Sequence, residues 1–144
     1  MKPQKYLSFL ANGTKNSGEF TEKDFLKTLQ KIVGGYIEPI YLYKYDLIMW
    51  GNEEARLLNH VNAEGKTVEG LPFNSLATAI VAANHFPVPC IDMLGDVVFT
   101  HVKTTKAGNT IGLTDEQFKF LMSYDKRAVD SGNRDSYFAI TSVE

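Results

Sequence analysis

The spacing of apolar residues along the chain predicts three helices. The first follows Thr21, which can cap it, and ends at Gly34-Gly35, a common helix stop. Its predicted buried face consists of Phe25, Leu26, Leu29, Ile32 and Val33. A second helix over residues 75–84 follows the capping residue Asn74, and a third begins with the capping box of residues 114–117.

Runs of alternating apolar, aromatic and β-branched residues predict strands between these helices. The predicted strands cover residues 6–11, 36–43, 46–50, 97–102 and 137–143. The second and third form a hairpin, and Pro39, which lacks an amide donor, places its strand at a sheet edge or a bulge. Residues 12–18 are predicted to be a loop, and residues 59–65 a turn between short strands. The order β-α-β-β-α-β-α-β favours one α+β domain over residues 1–144 with a small, mainly antiparallel sheet.

Composition and charge narrow the function classes. The chain has 144 residues, of which 44% are hydrophobic, and this is enough for one core. The formal net charge of -2 argues against a dedicated nucleic-acid or membrane-surface binder, because such proteins normally carry a basic patch. Apolar runs are too short for a signal peptide or a membrane span, so we expect a cytoplasmic protein with no membrane partner.

The reactive side chains lack the spacing of a catalytic or metal site. Zinc-ligand spacing is missing among the candidate ligands His60, His85, Cys90 and His101. We expect surface or half-buried histidines and one buried thiol, and we predict no metal and no cofactor. A catalytic mechanism would depend on Glu53, Asp96 or His101 as a general base. An enzyme is therefore the least favoured class.

A set of polar and aromatic residues near predicted strand and helix ends forms the candidate ligand-binding site. The set consists of Tyr36, Trp50, Asn52, Glu53, Arg56, Phe73, Asn74, Thr78 and Asp96. Together such residues offer both ring stacking and hydrogen bonds, as a nucleobase-containing ligand requires. The alternative is that the polar members only cap helices and tie turns.

Several short motifs recur in one order between residues 27 and 102. They are Gly34-Gly35-Tyr36-Ile37-Glu38, Asn52-Glu53-Glu54, Leu71-Pro72-Phe73-Asn74 with Ala77-Thr78, and Gly95-Asp96-Val97-Val98. This order resembles an uncharacterised domain family found in bacteriophages, plasmids and bacteria, with a pattern VGG-x-I-E, N-E-E, L-P-x-N-x-x-A-T and G-D-V-V. The interval 59–70 is longer here than in that family. Residues 103–144 lie outside the resemblance and are predicted to extend the same domain.

The resemblance implies a phage or mobile-element accessory protein, and it implies no particular reaction. By analogy with other small phage proteins, we expect the chain to counter host defence in the host cytoplasm by non-catalytic binding. One hypothesis is that it sequesters a small nucleotide-derived signal, as a homo-oligomer with a pocket between chains or beside the second helix. The alternative is a protein–protein inhibitor that contacts a host defence protein through an exposed aromatic or acidic patch.

Overall fold

The computed structural model describes residues 2–131. The strands are β1 (Gln4–Phe9), β2 (Lys15–Phe20), β3 (Ile37–Leu42), β4 (Leu47–Asn52), β5 (Asn59–Val61), β6 (Thr67–Glu69) and β7 (Val97–His101). The helices are α1 (Phe25–Val33), α2 (Ser75–His85), α3 (Asp115–Met122) and α4 (Lys126–Ser131), and a 3-10 turn covers Tyr43–Tyr45. Five strands form one sheet in the order β2-β1-β7-β4-β3, and β5 pairs with β6 separately. Because every pair is antiparallel, the predicted α+β class is confirmed.

The sheet is centred on β7, which follows the other six described strands in sequence and lies between β1 and β4. Phe99 on β7 is opposite both Leu7 on β1 and Met49 on β4. Residues opposite each other in an antiparallel pair share one sheet face, so these three side chains form a continuous buried row. The Phe9 and Phe99 rings meet edge to face at 4.7 Å.

Helix α2 packs on this face, which we call the α2 face, together with α3 and α4. The sequence predicts an apolar stripe on α2, but every residue from Ser75 to Ala83 is buried. A helix that is apolar on all sides is typical of a core position. Among residues 2–131, no helix combines the length and the apolar character needed to cross a lipid bilayer.

Helix α1 covers the opposite side of the sheet, the α1 face. Leu29 and Val33 pack on Val98 of β7, and the Phe25 ring meets the Trp50 ring edge-on at 5.4 Å. The indole Nε1 of Trp50 also donates a hydrogen bond of 2.9 Å to Thr100 Oγ1. Helices therefore cover both faces of the sheet, and its edge strands are β2 and β3.

Strand β2 covers residues 15–20, so the loop predicted for residues 12–18 is wrong for residues 15–18, while residues 12–14 do form the connection between β1 and β2. Residues 15–20 of β2 pair in full register with β1, yet only Phe20 is buried. An edge strand without alternating burial carries no period-two signal, which explains the error. Gly18 allows the Tyr6 ring to lie across the strand, because a Cβ at Gly18 would come within 2.3 Å of the Tyr6 hydroxyl.

The start of α1 also differs from the prediction. Thr21 and Asp24 form a reciprocal turn in which Thr21 N donates to Asp24 Oδ1 at 2.6 Å, and the helix begins only at Phe25. Leu26, predicted to face inward, is exposed. The predicted stop is confirmed, because Gly34 has φ 80, a left-handed conformation that suits glycine.

Three other local predictions are confirmed. Pro39 lies in β3, which is an edge strand. A turn between two short strands is present at residues 62–66, although residues 59–61 of the predicted turn belong to β5. Thr114 and Gln117 form the expected capping box of α3. Helix α4 was not predicted. The strand predicted for residues 137–143 lies outside the described residues.

The two leucines of α1 provide a matched test of the α1 face. Leu29 is 0% exposed and Leu26 is 54% exposed. We expect Leu29→Ala to lower the free energy of unfolding by about 2–5 kcal/mol, because it removes buried methyl groups and leaves a cavity. Leu26→Ala should change it by less than about 0.5 kcal/mol. Urea unfolding followed by Trp50 fluorescence measures both, and equal effects would contradict this placement of α1.

Candidate functional site

A cavity of about 190 Å³ opens on the α2 face, at the end of the sheet formed by β3 and β4. Its floor consists of the sheet residues Glu38, Ile40, Met49, Gly51 and Val97. Two loops form its walls. The first loop wall is residues 53–57, which follow β4, and the second is residues 91–94, which precede β7.

The cavity walls are mainly apolar, while the charges lie at the rim. Leu57 and Ile91 stand on the two walls and are 78% and 66% exposed. The charged side chains at the rim are Glu38, Glu53 and Arg56, and all three are exposed. The Arg56 guanidinium donates to the carbonyl oxygen of Asp92, so it joins the two walls directly.

Asn52 holds the first wall in place. Its Oδ1 accepts a 2.8 Å hydrogen bond from Glu54 N, and its Nδ2 donates to Val33 O at 3.1 Å. Val33 is the last residue of α1, where carbonyl groups lack helical partners, so this bond also caps the helix end. The side-chain amide of Asn52 is buried and is bonded on both of its polar atoms within the chain.

Asn74 and Thr78 hold the second wall. Asn74 Nδ2 donates to Phe9 O and Gly95 O, both at 2.9 Å, and its Oδ1 accepts from Ala77 N at 3.0 Å as the cap of α2. Met93 O accepts from Asn74 N, and Met93 N donates to Thr78 Oγ1, in both cases at 2.9 Å. These bonds attach the loop before β7 to the first turn of α2.

The remaining predicted residues lie elsewhere. Asp96 Oδ1 accepts a 2.8 Å bond from Ala11 N, next to the end of β1. Trp50 lies on the α1 face, away from the cavity, and the exposed Tyr36 and Phe73 are outside its lining. Of the nine predicted residues, the cavity brings together Asn52, Glu53 and Arg56. A ligand-binding role for all nine stays a prediction.

Sequence reasoning missed the apolar lining of this cavity. Leu57 carried the clearest signal, because it is an apolar residue in a polar segment. Ile91 and Met93 follow a proline-rich stretch without periodicity and gave none. Glu38 and Ile40 belong to a strand whose inward face became known only from its register with β4.

A second, more polar recess surrounds His101 at the opposite end of β4. Its lining includes Asp46, Glu116 and Gln117, and Gln117 Nε2 donates to Asp46 O at 2.8 Å. His101 Nδ1 accepts a 3.0 Å bond from Lys103 N, which requires a ring nitrogen without a proton. Partial burial lowers the pKa of His101 below its ordinary value, the Asp46 carboxylate opposes this shift, and Lys103 adds to it.

Within residues 2–131, no three His, Cys, Asp or Glu side chains lie together as a metal site requires. Cys90, predicted to be buried, is partly exposed.

Comparison with known proteins gives one family match. Residues 10–61 match the family model of a domain of unknown function (DUF3846). The matched segment contains α1, the β3–β4 hairpin and the first cavity wall, whereas the second wall lies outside it. No curated protein and no solved structure matches the chain significantly. The family description assigns no activity.

Asn74 offers a test of how the second wall is held. We expect Asn74→Ala to lower the free energy of unfolding by about 3 kcal/mol, because it removes a helix cap and leaves two buried carbonyl groups without donors. Asn59→Ala, at an exposed position on β5, should cost less than about 0.5 kcal/mol. Urea denaturation of both variants checks this. A loss of about 1 kcal/mol or less for Asn74→Ala would show that only the cap matters.

His101 predicts a pH dependence of stability. Its pKa is lower in the folded state than its ordinary value of 6.5, so the unfolded chain binds a proton first as the pH falls. The stability that the neutral His101 side chain contributes is fully present above pH 6.5. It is lost as the pH falls from 6.5 through the folded-state pKa of His101. Between pH 7.5 and 5.0, wild-type protein should lose more unfolding free energy than His101→Gln, whose amide can still accept from Lys103 N. Urea unfolding at both pH values measures this, and equal losses would contradict it.

Proposed function

We propose that this protein acts by non-catalytic binding of another protein, and that the β3–β4 cavity receives one apolar side chain of that partner. The observation that carries this proposal is an apolar cavity flanked by two exposed apolar residues, Leu57 and Ile91. Interface energy is typically concentrated where an anchor side chain fills such a pocket.

The size of the cavity supports a side chain as its occupant. Its volume is about 190 Å³, whereas pockets for drug-sized ligands typically hold about 300–1,000 Å³. An apolar cavity of about 150 Å³ is large enough for a benzene molecule. A leucine- or phenylalanine-sized group therefore matches the available space, and a whole nucleotide does not.

The rim charges suggest what surrounds the anchor. Glu38 and Glu53 are exposed carboxylates at the cavity edge, and Arg56 already donates to Asp92 O. A partner segment with a basic residue beside its apolar anchor would complement the two carboxylates. The phosphates of a nucleotide would be repelled by them.

The lining also supports binding without chemistry. Among the described residues, those lining the cavity include no histidine, cysteine, serine, threonine, tyrosine or lysine. The lining therefore offers no hydroxyl, thiol or amine nucleophile, and its titratable acids are the two rim carboxylates Glu38 and Glu53.

A nucleotide-derived signal is a second candidate. The guanidinium of Arg56 has donors beyond the one bonded to Asp92 O, and Asn52 and Glu53 lie beside it. Because the single-chain cavity is small, this candidate requires a second copy of the chain to complete the pocket. The resemblance to phage and mobile-element domains is the support for a role against host defence, and it applies to either ligand in the host cytoplasm.

A random peptide library displayed against the purified full chain tests the proposal. We expect enriched peptides to share one leucine or aromatic anchor next to lysine or arginine. Binding of such a peptide, measured by fluorescence anisotropy, should weaken at least about tenfold in Leu57→Asp and in Ile91→Asp. Both positions are exposed, so these variants should keep the wild-type unfolding midpoint.

Val61→Asp is the matched control, because Val61 is an equally exposed apolar residue outside the cavity. It should bind the peptide as wild-type protein does. Cyclic nucleotides and ADP-ribose compounds are tested in parallel by thermal shift. A shift that Arg56→Ala abolishes would favour the second candidate, and the absence of both peptide and nucleotide binding would overturn the proposed function.

A further inference from the structure

Strand β2 presents one row of backbone groups outward from the sheet. Leu113, which is not part of β2, donates its N–H to Lys5 O. The backbone N–H and C=O groups of the odd-numbered residues of β1 therefore point away from β2, and those of the even-numbered residues point towards it. Even-numbered residues of β1 pair with even-numbered residues of β2, such as Tyr6 with Gly18. The N–H and C=O groups of Lys15, Ser17 and Glu19 therefore point outward.

These outward groups have no partner among the described residues. No strand of residues 2–131 pairs with the outer side of β2, and no backbone hydrogen bond of this part of the chain involves Ser17 or Glu19. Both residues are exposed. An edge strand with such a free row is a template for pairing with another strand.

The other edge of the sheet is protected in a way that β2 is not. Edge strand β3 contains Pro39 at an outward-facing position, where it removes a donor. Strand β2 contains no proline, and Lys15, its one basic residue, bends back over the α2 face. There Lys15 Nζ donates to Met122 O at 2.9 Å and to Tyr124 O. Its side chain therefore lies on the sheet face and leaves the backbone groups at the strand edge uncovered.

The sequence of β2 is complementary to itself. If two copies of the strand are placed antiparallel about a two-fold axis at Ser17, Lys15 of each copy lies opposite Glu19 of the other. In this register Lys15 faces Glu19, Ser17 faces Ser17 and Glu19 faces Lys15. The backbone groups of all these residues point outward from their own sheets, so each pair can exchange two backbone hydrogen bonds. A Lys–Glu pair directly across two strands is stabilising, and here it occurs twice.

We propose that two copies of this chain associate through β2 in this register and so join their sheets into one. Lys15 Nζ has three donors, of which two bind Met122 O and Tyr124 O. In the proposed dimer, the Glu19 carboxylate of the second copy would accept from the third donor. This surface is separate from the β3–β4 cavity, and the proposal does not depend on the proposed function.

The expected association is weak. Stable dimers usually bury about 1,200 Å² or more in total, and one six-residue strand pair supplies less. We therefore expect a monomer–dimer equilibrium that depends on concentration. Sedimentation velocity of the full chain should show a rising average mass between about 10 and 500 μM protein. A mass that stays monomeric over this range would overturn the proposal.

Cysteine cross-linking tests the register. The Cα atoms of a hydrogen-bonded antiparallel pair are about 5.5 Å apart, within the range that a disulfide spans. In a Cys90→Ala background, Ser17→Cys should form a covalent dimer under oxidised glutathione. Asn16→Cys should not form one, because residue 16 lies opposite residue 18 of the other copy, so the two introduced cysteines do not face each other. The side chain of residue 16 also lies on the sheet face opposite to that of residue 17. Equal cross-linking of the two variants would contradict the register.

Charge reversal tests the Lys–Glu pairs. Glu19→Lys places two lysines opposite each other at both ends of the interface, so dimerisation should weaken at least about fivefold at low salt. Glu64→Lys makes the same charge change in the remote β5–β6 turn and should leave the equilibrium unchanged. Equal effects of the two substitutions would show that net charge, and not this interface, controls association. If the chain stays monomeric and the amides of Ser17 and Glu19 are protected from hydrogen exchange, another segment of the same chain pairs with this edge. That result would overturn the proposal.

Discussion

The side-chain amide of Asn74 is the contact on which the rest of this fold depends. It lies where the end of β1, the start of β7 and the first turn of α2 meet, and it bonds to all three. Because the amide is buried, each of its hydrogen bonds is made in a low-dielectric environment where an unpaired group would be costly. Its position therefore fixes the direction in which α2 leaves the sheet, and with it the core of the α2 face.

The candidate site follows from the same constraint. Asn74 and Thr78 attach the loop before β7 to α2, while Asn52 attaches the loop after β4 to the end of α1. The space left between the two loops is the cavity, and it is lined mainly by apolar side chains. In this arrangement buried polar groups hold the walls and the apolar groups line the cavity, which is the division of roles that the proposed binding of an apolar side chain requires.

The two proposed surfaces lie at opposite edges of the five-stranded sheet. The cavity is beside β3, and the self-pairing edge is β2. Pairing of two β2 strands would therefore leave both cavities open at the far ends of a ten-stranded sheet, with neighbouring strands about 4.8 Å apart. Such a dimer would present two separate binding sites, and simultaneous engagement could raise the affinity for a partner with two copies of the anchor segment.

The sequence by itself determined the elements whose signals are local. The glycine stop of α1, the cap of α2, the capping box of α3 and the edge position of Pro39 each depend on a few neighbouring residues, and all are confirmed. Only the tertiary structure decided the rest, because it depends on pairing between distant segments. Strand β2 is polar and gained its conformation from register with β1. The cavity exists because two loops converge beside β4, and the hydrogen bond that joins them links residues 36 positions apart in sequence. No local pattern of residues reports such a convergence, since the physical cause lies in how β7 inserts between β1 and β4.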